Sequence, residues 1–146
     1  MGKGNWRYKK GSSFEYEWLY YCLYHHFDNV RSYASKGVAD VRSIPPRWAN
    51  NPIALYAQCK NTAKEDYIAP DERNELEECS KKFFCLVVEP FKRNRTCLVK
   101  IEPWKLNGEI MTPEAFMSKY YGLQASTWAE WRKDWYTNKI RRKVYK

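Results

Sequence analysis

The chain predicts an α/β fold, with a central mixed β-sheet flanked by helices and a C-terminal helical extension. Three observations carry this reading. Helically spaced apolar positions and short apolar or alternating runs follow one another between residues 12 and 101. Their order is helix, three strands, helix, two strands, the order of a layered sheet with helices on its faces. Beyond Trp104 the pattern becomes helical only.

Ser12 is placed to cap the first helix, with Glu15 three residues on, and Leu19, Cys22, Leu23 and His26 recur on the face that holds Glu15. That helix is expected to end near 27–29. Val30-Arg31-Ser32-Tyr33 reads as a short strand, and Val38-Ala39-Asp40-Val41 opens a second that stops at Pro45-Pro46. From Ile53 to Lys60 the residues alternate, with Ile53, Leu55, Ala57 and Cys59 on one face and Ala54, Tyr56, Gln58 and Lys60 on the other. A charged helix is expected over 71–83, carrying Leu76 and Cys79 inward. An apolar strand follows over 84–88 and another over 97–101. Thr112-Pro113-Glu114 starts a short helix that Gly122 closes. Ser126 or Thr127 starts the last helix, which places Trp128, Trp131 and Trp135 on one stripe suited to core packing, a dimer contact or base stacking. The expected organisation is a core over 1–104 with a basic N-terminal arm, and an aromatic, basic extension over 105–146 packed on the core or on a dimer partner.

The 146 residues suit one compact domain. No apolar stretch is long enough for a membrane span, and residues 1–6 lack the apolar run of a secretory signal. A cytoplasmic protein is expected, in the host cytoplasm if a virus encodes it. Cys22, Cys59, Cys79, Cys85 and Cys97 form no CxxC pair and read as reduced core thiols. The net charge of +9 sits at the ends. Residues 1–10 hold Lys3, Arg7, Lys9 and Lys10 and no acid, and residues 131–146 hold seven basic side chains against Asp134. Basic ends on a near-neutral body suit a polyanionic partner.

The chemistry has three candidate places: Glu15, Asp40 and the pair Gln58/Lys60. Gln58 and Lys60 are two apart on a strand and therefore project from one face. A lysine beside oxygen ligands for Mg²⁺ supplies what phosphodiester hydrolysis needs, namely charge neutralisation and a nucleophile at neutral pH. Each residue also has a plain structural role: Glu15 as half of a capping box, Asp40 as a strand-edge acid, Gln58 and Lys60 as the wet side of an outer strand. His25 and His26 sit late in the first helix, where a structural role fits better than catalysis.

Four segments together resemble one family. Lys10-Gly11-Ser12-Ser13-Phe14-Glu15-Tyr16-Glu17 resembles the KG-x-x-x-E-R-E opening of archaeal-type Holliday junction resolvases, members of the PD-(D/E)XK nuclease superfamily. Val30 to Gly37 resembles their V-R-S-x-x-S segment, Val38-Ala39-Asp40-Val41 their following aspartate strand, and Leu55 to Lys60 their apolar strand ending in E-x-K. The likeness spans about residues 10–104. It implies a restriction-endonuclease-like core and a structure-selective, metal-dependent endodeoxyribonuclease. Such an enzyme resolves four-way DNA junctions by paired nicks, acts as a homodimer and has no membrane partner.

By the resemblance, Glu15 is the helix-borne acid, Asp40 the central metal-bridging carboxylate and Lys60 the site lysine, with Ser35 near the scissile strand. The implied ligands of Mg²⁺, with Mn²⁺ as a substitute, are Asp40, Gln58, Glu15 and the backbone carbonyl of Cys59. The implied DNA contacts are Lys10, Arg31, Ser35 and Lys36, with Arg42, Lys64 and Arg47 as weaker candidates. The chain departs from the family where Gln58 replaces a glutamate, where one residue is added between Ser35 and Asp40, and where Ile44–Asn51 adds a loop. The departure at Gln58 leaves a second reading open, a junction- or DNA-binding protein on a weakened nuclease scaffold. A repair or restriction-type nuclease on the same core, acting on another DNA form, is the third.

Overall fold

The computed structural model describes residues 3–31, 39–60, 70–93 and 96–137, with the side chains of the first helix described from Ser13 onward. The elements run α1 (Lys3–Tyr24), β1 (Asp28–Arg31), β2 (Val41–Ile44), β3 (Leu55–Ala57), α2 (Pro70–Phe83), β4 (Leu86–Arg93), β5 (Thr96–Ile101), β6 (Ile110–Met111), α3 (Pro113–Tyr121) and α4 (Trp128–Thr137). The six strands form one sheet in sequence order, β1-β2-β3-β4-β5-β6. Only the β3/β4 pair is parallel; the other pairs are antiparallel. The one parallel pair follows from its connection, since β3 returns to β4 through α2.

Two apolar layers sandwich the sheet. On one face Phe14, Trp18 and Cys22 of α1 pack with Val41, Leu55, Ala57, Val88, Val99 and Ile101, together with Phe116 and Tyr121 of α3 and the α4 tryptophans. On the other, Leu76 and Cys79 of α2 pack on Cys85 and Val87, flanked by Ala54, Tyr56 and Trp104. Alternate residues of β3 and β4 therefore face opposite layers, as the period of two requires.

The tryptophan stripe belongs to the core. Trp128, Trp131 and Trp135 are buried, and the Tyr21 ring lies 5.2 Å from Trp128 and 5.6 Å from Trp131. The Glu17 carboxylate, also buried, ties this helix down through Arg132 at 3.0 Å, with Lys92 of β4 at 3.3 Å.

Two expectations are corrected. Ser12 does not cap α1, because the helix already starts at Lys3 and passes through Gly11. The basic arm over residues 3–10 is thus helical backbone. At the other end α1 stops at Tyr24, earlier than the 27–29 expected. The Phe27 amide donates to the Cys22 carbonyl at 3.0 Å and the His26 amide to that of Leu23 at 2.9 Å, with His26 left-handed at φ 71. This is a Schellman closure, with His26 where glycine usually stands and Phe27 buried beyond it. Strand β6 was not expected from the sequence, and Pro113–Tyr121 is capped by Thr112 and Gly122 as expected.

The loop added between β2 and β3 docks on the extension. The Asn50 backbone N–H donates to the Tyr121 carbonyl at 2.9 Å, and the Tyr121 hydroxyl donates to the Ile53 carbonyl at 2.8 Å. A Cβ at Gly122 would meet the Asn50 side chain at 2.8 Å, so the close approach requires that glycine.

Candidate functional site

The site forms where β2 and β3 part. Their antiparallel register ends at Val41 opposite Ala57. The next β2-facing amide, that of Cys59, donates to the Asp40 carboxylate at 2.8 Å. Meanwhile the chain stays extended along β4: the Gln58 amide donates to the Val88 carbonyl at 3.0 Å, Lys60 donates to Pro90 at 2.9 Å, and Lys92 donates back to Lys60 at 3.1 Å. The one rung missing from this parallel ladder would run from residue 90 to the Gln58 carbonyl. Pro90 has no amide hydrogen to give, which is why β3 ends at Ala57 although the backbone continues straight to Lys60.

This extended stretch alternates as the sequence implied. Lys60 faces the α2 layer, where its ammonium lies 3.1 Å from the Glu72 carboxylate in the first turn of α2. Gln58, half-buried, shares its parity, and Cys59 turns toward the α1 layer. In extended backbone the amide and carbonyl of one residue point to the same side. The Cys59 carbonyl therefore faces the Asp40 side, as its amide does.

Glu15 reaches the same point from α1. Burial raises the Asp40 carboxyl to about 7, and the charge of Glu15 and a hydrogen bond with it push the same way. The Cys59 amide and the Lys60 ammonium oppose this and are outweighed. On its far side Glu15 is held by Arg31, whose Nη2 lies 3.2 Å from Oε2 and whose guanidinium sits 4.7 Å over the Tyr16 ring.

Of the residues singled out in the sequence, Glu15, Asp40 and Lys60 are brought together, with Gln58 and the Cys59 carbonyl alongside. Arg31 sits at the edge of the group, engaged with Glu15. Arg42 and Arg47 are exposed. Lys10 lies in α1 with its side chain outside the described residues, and Ser35, Lys36 and Lys64 also lie outside them. Among the described residues no three acidic, histidine or cysteine side chains converge as a metal cluster would. The donors present are oxygens (two carboxyls, an amide and a backbone carbonyl), and this set fits a hard divalent cation with water completing the sphere.

His25 stands apart. Its Nδ1 lies 2.9 Å from the Tyr21 carbonyl, and its Nε2 accepts the Ser126 amide at 3.0 Å. Both ring nitrogens are thereby satisfied in the neutral form, and burial lowers the pKa. Two further residues were missed in the sequence. Glu72 reads there as an ordinary first-turn acid, and Glu89 is hidden inside the apolar run of β4. An acid in the run Leu86–Phe91 facing a lysine in the run Thr96–Ile101 was the available signal.

Among the described residues no helix is long and apolar enough to cross a membrane. No family model matches the chain, and no curated protein does. Among solved structures it is similar to Archaeoglobus fulgidus Hjc, a Holliday junction resolvase from an archaeal hyperthermophile, at 20% identity and a TM-score of 0.54. That match covers 64% of this chain and 73% of the other. At that identity the likeness is one of fold: the mixed sheet with its flanking helices is the α/β nuclease fold of that resolvase.

Proposed function

We propose that this chain is a metal-dependent endonuclease that nicks branched DNA, in the manner of a Holliday junction resolvase. The observation that carries the reading is the Asp40 carboxylate held on the Cys59 amide at the point where β2 and β3 separate, with Glu15 and Lys60 acting on it from either side. A pair of acids held this close and half-buried is costly on its own, and a bound cation removes that cost. The nuclease fold and the basic termini support the same reading.

In this reading Asp40, Glu15, Gln58 and the Cys59 carbonyl hold Mg²⁺ or Mn²⁺, which supplies Lewis-acid neutralisation of the scissile phosphate. Lys60 offers its ammonium to the charge that develops on the phosphorus oxygens. Arg31 fixes Glu15 and stacks on Tyr16, so the acid meets the ion in a set position. Exposed Arg42 and the basic ends hold DNA through phosphates rather than base edges. A two-fold homodimer presents two such sites to the two equivalent strands of a four-way junction.

The uncharged Gln58 favours one competing reading, a junction-binding protein on a weakened scaffold. A substrate panel separates them. The purified chain is given Mg²⁺ with a four-way junction and with linear duplex of the same sequence. Paired nicks near the crossover with the duplex spared are expected. Equal cutting of both demotes the chain to a general nuclease. No cutting with Mg²⁺ or Mn²⁺ leaves the binding protein.

A further inference from the structure

The pairing registers align three residues across neighbouring strands, and Asp40 stands at the end of their row. Asp40 precedes the last β2/β3 pair, Val41/Ala57, and its carboxylate accepts from the Cys59 amide, next in the chain to Gln58. Gln58 follows the Ala57/Val88 pair of β3 and β4, beside Glu89. Glu89 in turn pairs with Lys100 of β5. Gln58, Glu89 and Lys100 thus form one transverse row, with the Asp40 carboxylate at its β2 end. Gln58, Glu89 and Lys100 share the parity of Tyr56 and Val87, which face the α2 layer.

Glu89 is 0% exposed and Lys100 3%. Placing a carboxylate in the middle of an apolar strand is expensive, and a chain that needed only packing there has valine and isoleucine to use. In the row its immediate neighbour is the one residue of the candidate site that lacks the charge a cation wants.

We propose that Glu89 is the positioning acid of the metal site, a carboxylate displaced one strand sideways from the place where Gln58 stands. This rests on the nuclease reading above. An amide has two ends of opposite polarity, and only its oxygen ligates a hard cation. With the Glu89 carboxylate on the β4 side, the Gln58 amide nitrogen of the loaded site faces Glu89, and its oxygen faces Asp40 across the row. Lys100 pairs with Glu89 from the far side of the row, so the buried acid stands between a cationic residue and the Gln58 amide. The negative charge missing from β3 is then supplied from β4, through an oriented dipole rather than a direct bond. Supporting groups of this kind typically change metal affinity by roughly 10- to 100-fold.

The test measures Mn²⁺ affinity by calorimetry, with folding checked by thermal melting. Wild type, Asp40→Asn, Glu89→Gln, Gln58→Glu and the double variant Gln58→Glu/Glu89→Gln are compared. The expected pattern is binding by wild type, its loss in Asp40→Asn, a loss of about 10-fold or more in Glu89→Gln, and recovery in the double variant, where the carboxylate stands on β3 itself. Binding by Glu89→Gln equal to wild type overturns the role of Glu89 and leaves the nuclease reading intact. A loss that the double variant does not recover assigns Glu89 to structure alone and also overturns it. Absence of Mn²⁺ binding in wild type removes the metal site itself. If Glu89→Gln does not fold, the double variant is compared with Gln58→Glu alone. Equal affinity supports the proposal, and a tenfold loss overturns it.

Discussion

Lys60 and Glu72 join the catalytic-strand candidate to the helix that covers it: the ammonium on the β3 extension lies 3.1 Å from the carboxylate in the first turn of α2. Both side chains keep contact with solvent, so the pair is a weak tether and leaves Lys60 available to a phosphate.

The two partners should therefore respond unequally. Lys60→Ala is expected to lower junction nicking by about 100-fold or more. Glu72→Gln is expected to change it by no more than about threefold. Single-turnover rates under saturating Mg²⁺ check both. Comparable losses would place Glu72 within the chemistry.

The raised Asp40 carboxyl makes a stability prediction of unusual direction. Its folded value, about 7, lies above the ordinary 3.8, so the folded state keeps a proton that the unfolded chain has already released. That stabilisation is full below about pH 4 and is lost as pH rises through about 7. Asp40→Asn escapes the loss, and its amide oxygen can still accept from Cys59. Without metal the variant should be more stable than wild type at pH 8, by about 2 kcal/mol, and nearly equal to it at pH 4. Thermal melts at the two pH values check this. A variant less stable at pH 8 would show that the pair is not strained.

His25 works in the opposite sense. Its folded pKa is lowered by burial, so the stabilisation it gives is present above about 6.5 and is lost as pH falls below that. Protonation forces Nε2 to become a donor and breaks the bond from the Ser126 amide. Protection of the amides between α3 and α4, taken relative to their intrinsic exchange rates, should fall between pH 7 and 5. His25→Gln should flatten that dependence. Nitrogen NMR should find the proton on Nδ1 at neutral pH; a proton on Nε2 would contradict the assignment.

Much of the fold was legible in the sequence, for a physical reason. Apolar periodicity marks buried faces, and β2, β3, α2, β4 and β5 each bury one, so their order was readable from residues such as Leu55, Ala57, Leu76 and Val88. The termini of α1 were not. Ser12 has the composition of a cap, but caps matter only where a helix begins, and this one runs back to Lys3. At the other end His26 takes the left-handed position that glycine normally signals. Strand β6, two residues long, buries too little to leave a periodic trace. In the candidate site Glu15, Asp40 and the Gln58/Lys60 pair were singled out by their chemistry, and only the resemblance joined them, since their gathering depends on where β2 parts from β3. Glu72 and Glu89 are long-range neighbours, and only the pairing register brings Glu89 beside Gln58.

The C-terminal extension hangs on Glu17. Its buried carboxylate pairs with Lys92 at 3.3 Å and Arg132 at 3.0 Å, linking α1, β4 and α4. Glu17→Ala leaves two cations without their acid and should destabilise the fold by about 2–3 kcal/mol. Arg132→Ala removes only a partly exposed cation and leaves Glu17 paired with Lys92, so it should cost about 1 kcal/mol. Urea titration measures both, and equal small effects would show that α4 is held by its tryptophans alone.

Separating cutting from holding tests the central claim most directly. Wild type and Asp40→Asn are placed side by side on a four-way junction with Mg²⁺, and nicking and binding are followed on the same samples. The account predicts paired nicks from wild type, none from the variant, and binding by both within about threefold, because phosphate contacts rather than Asp40 hold the DNA. Nicking by Asp40→Asn at the wild-type rate would contradict it.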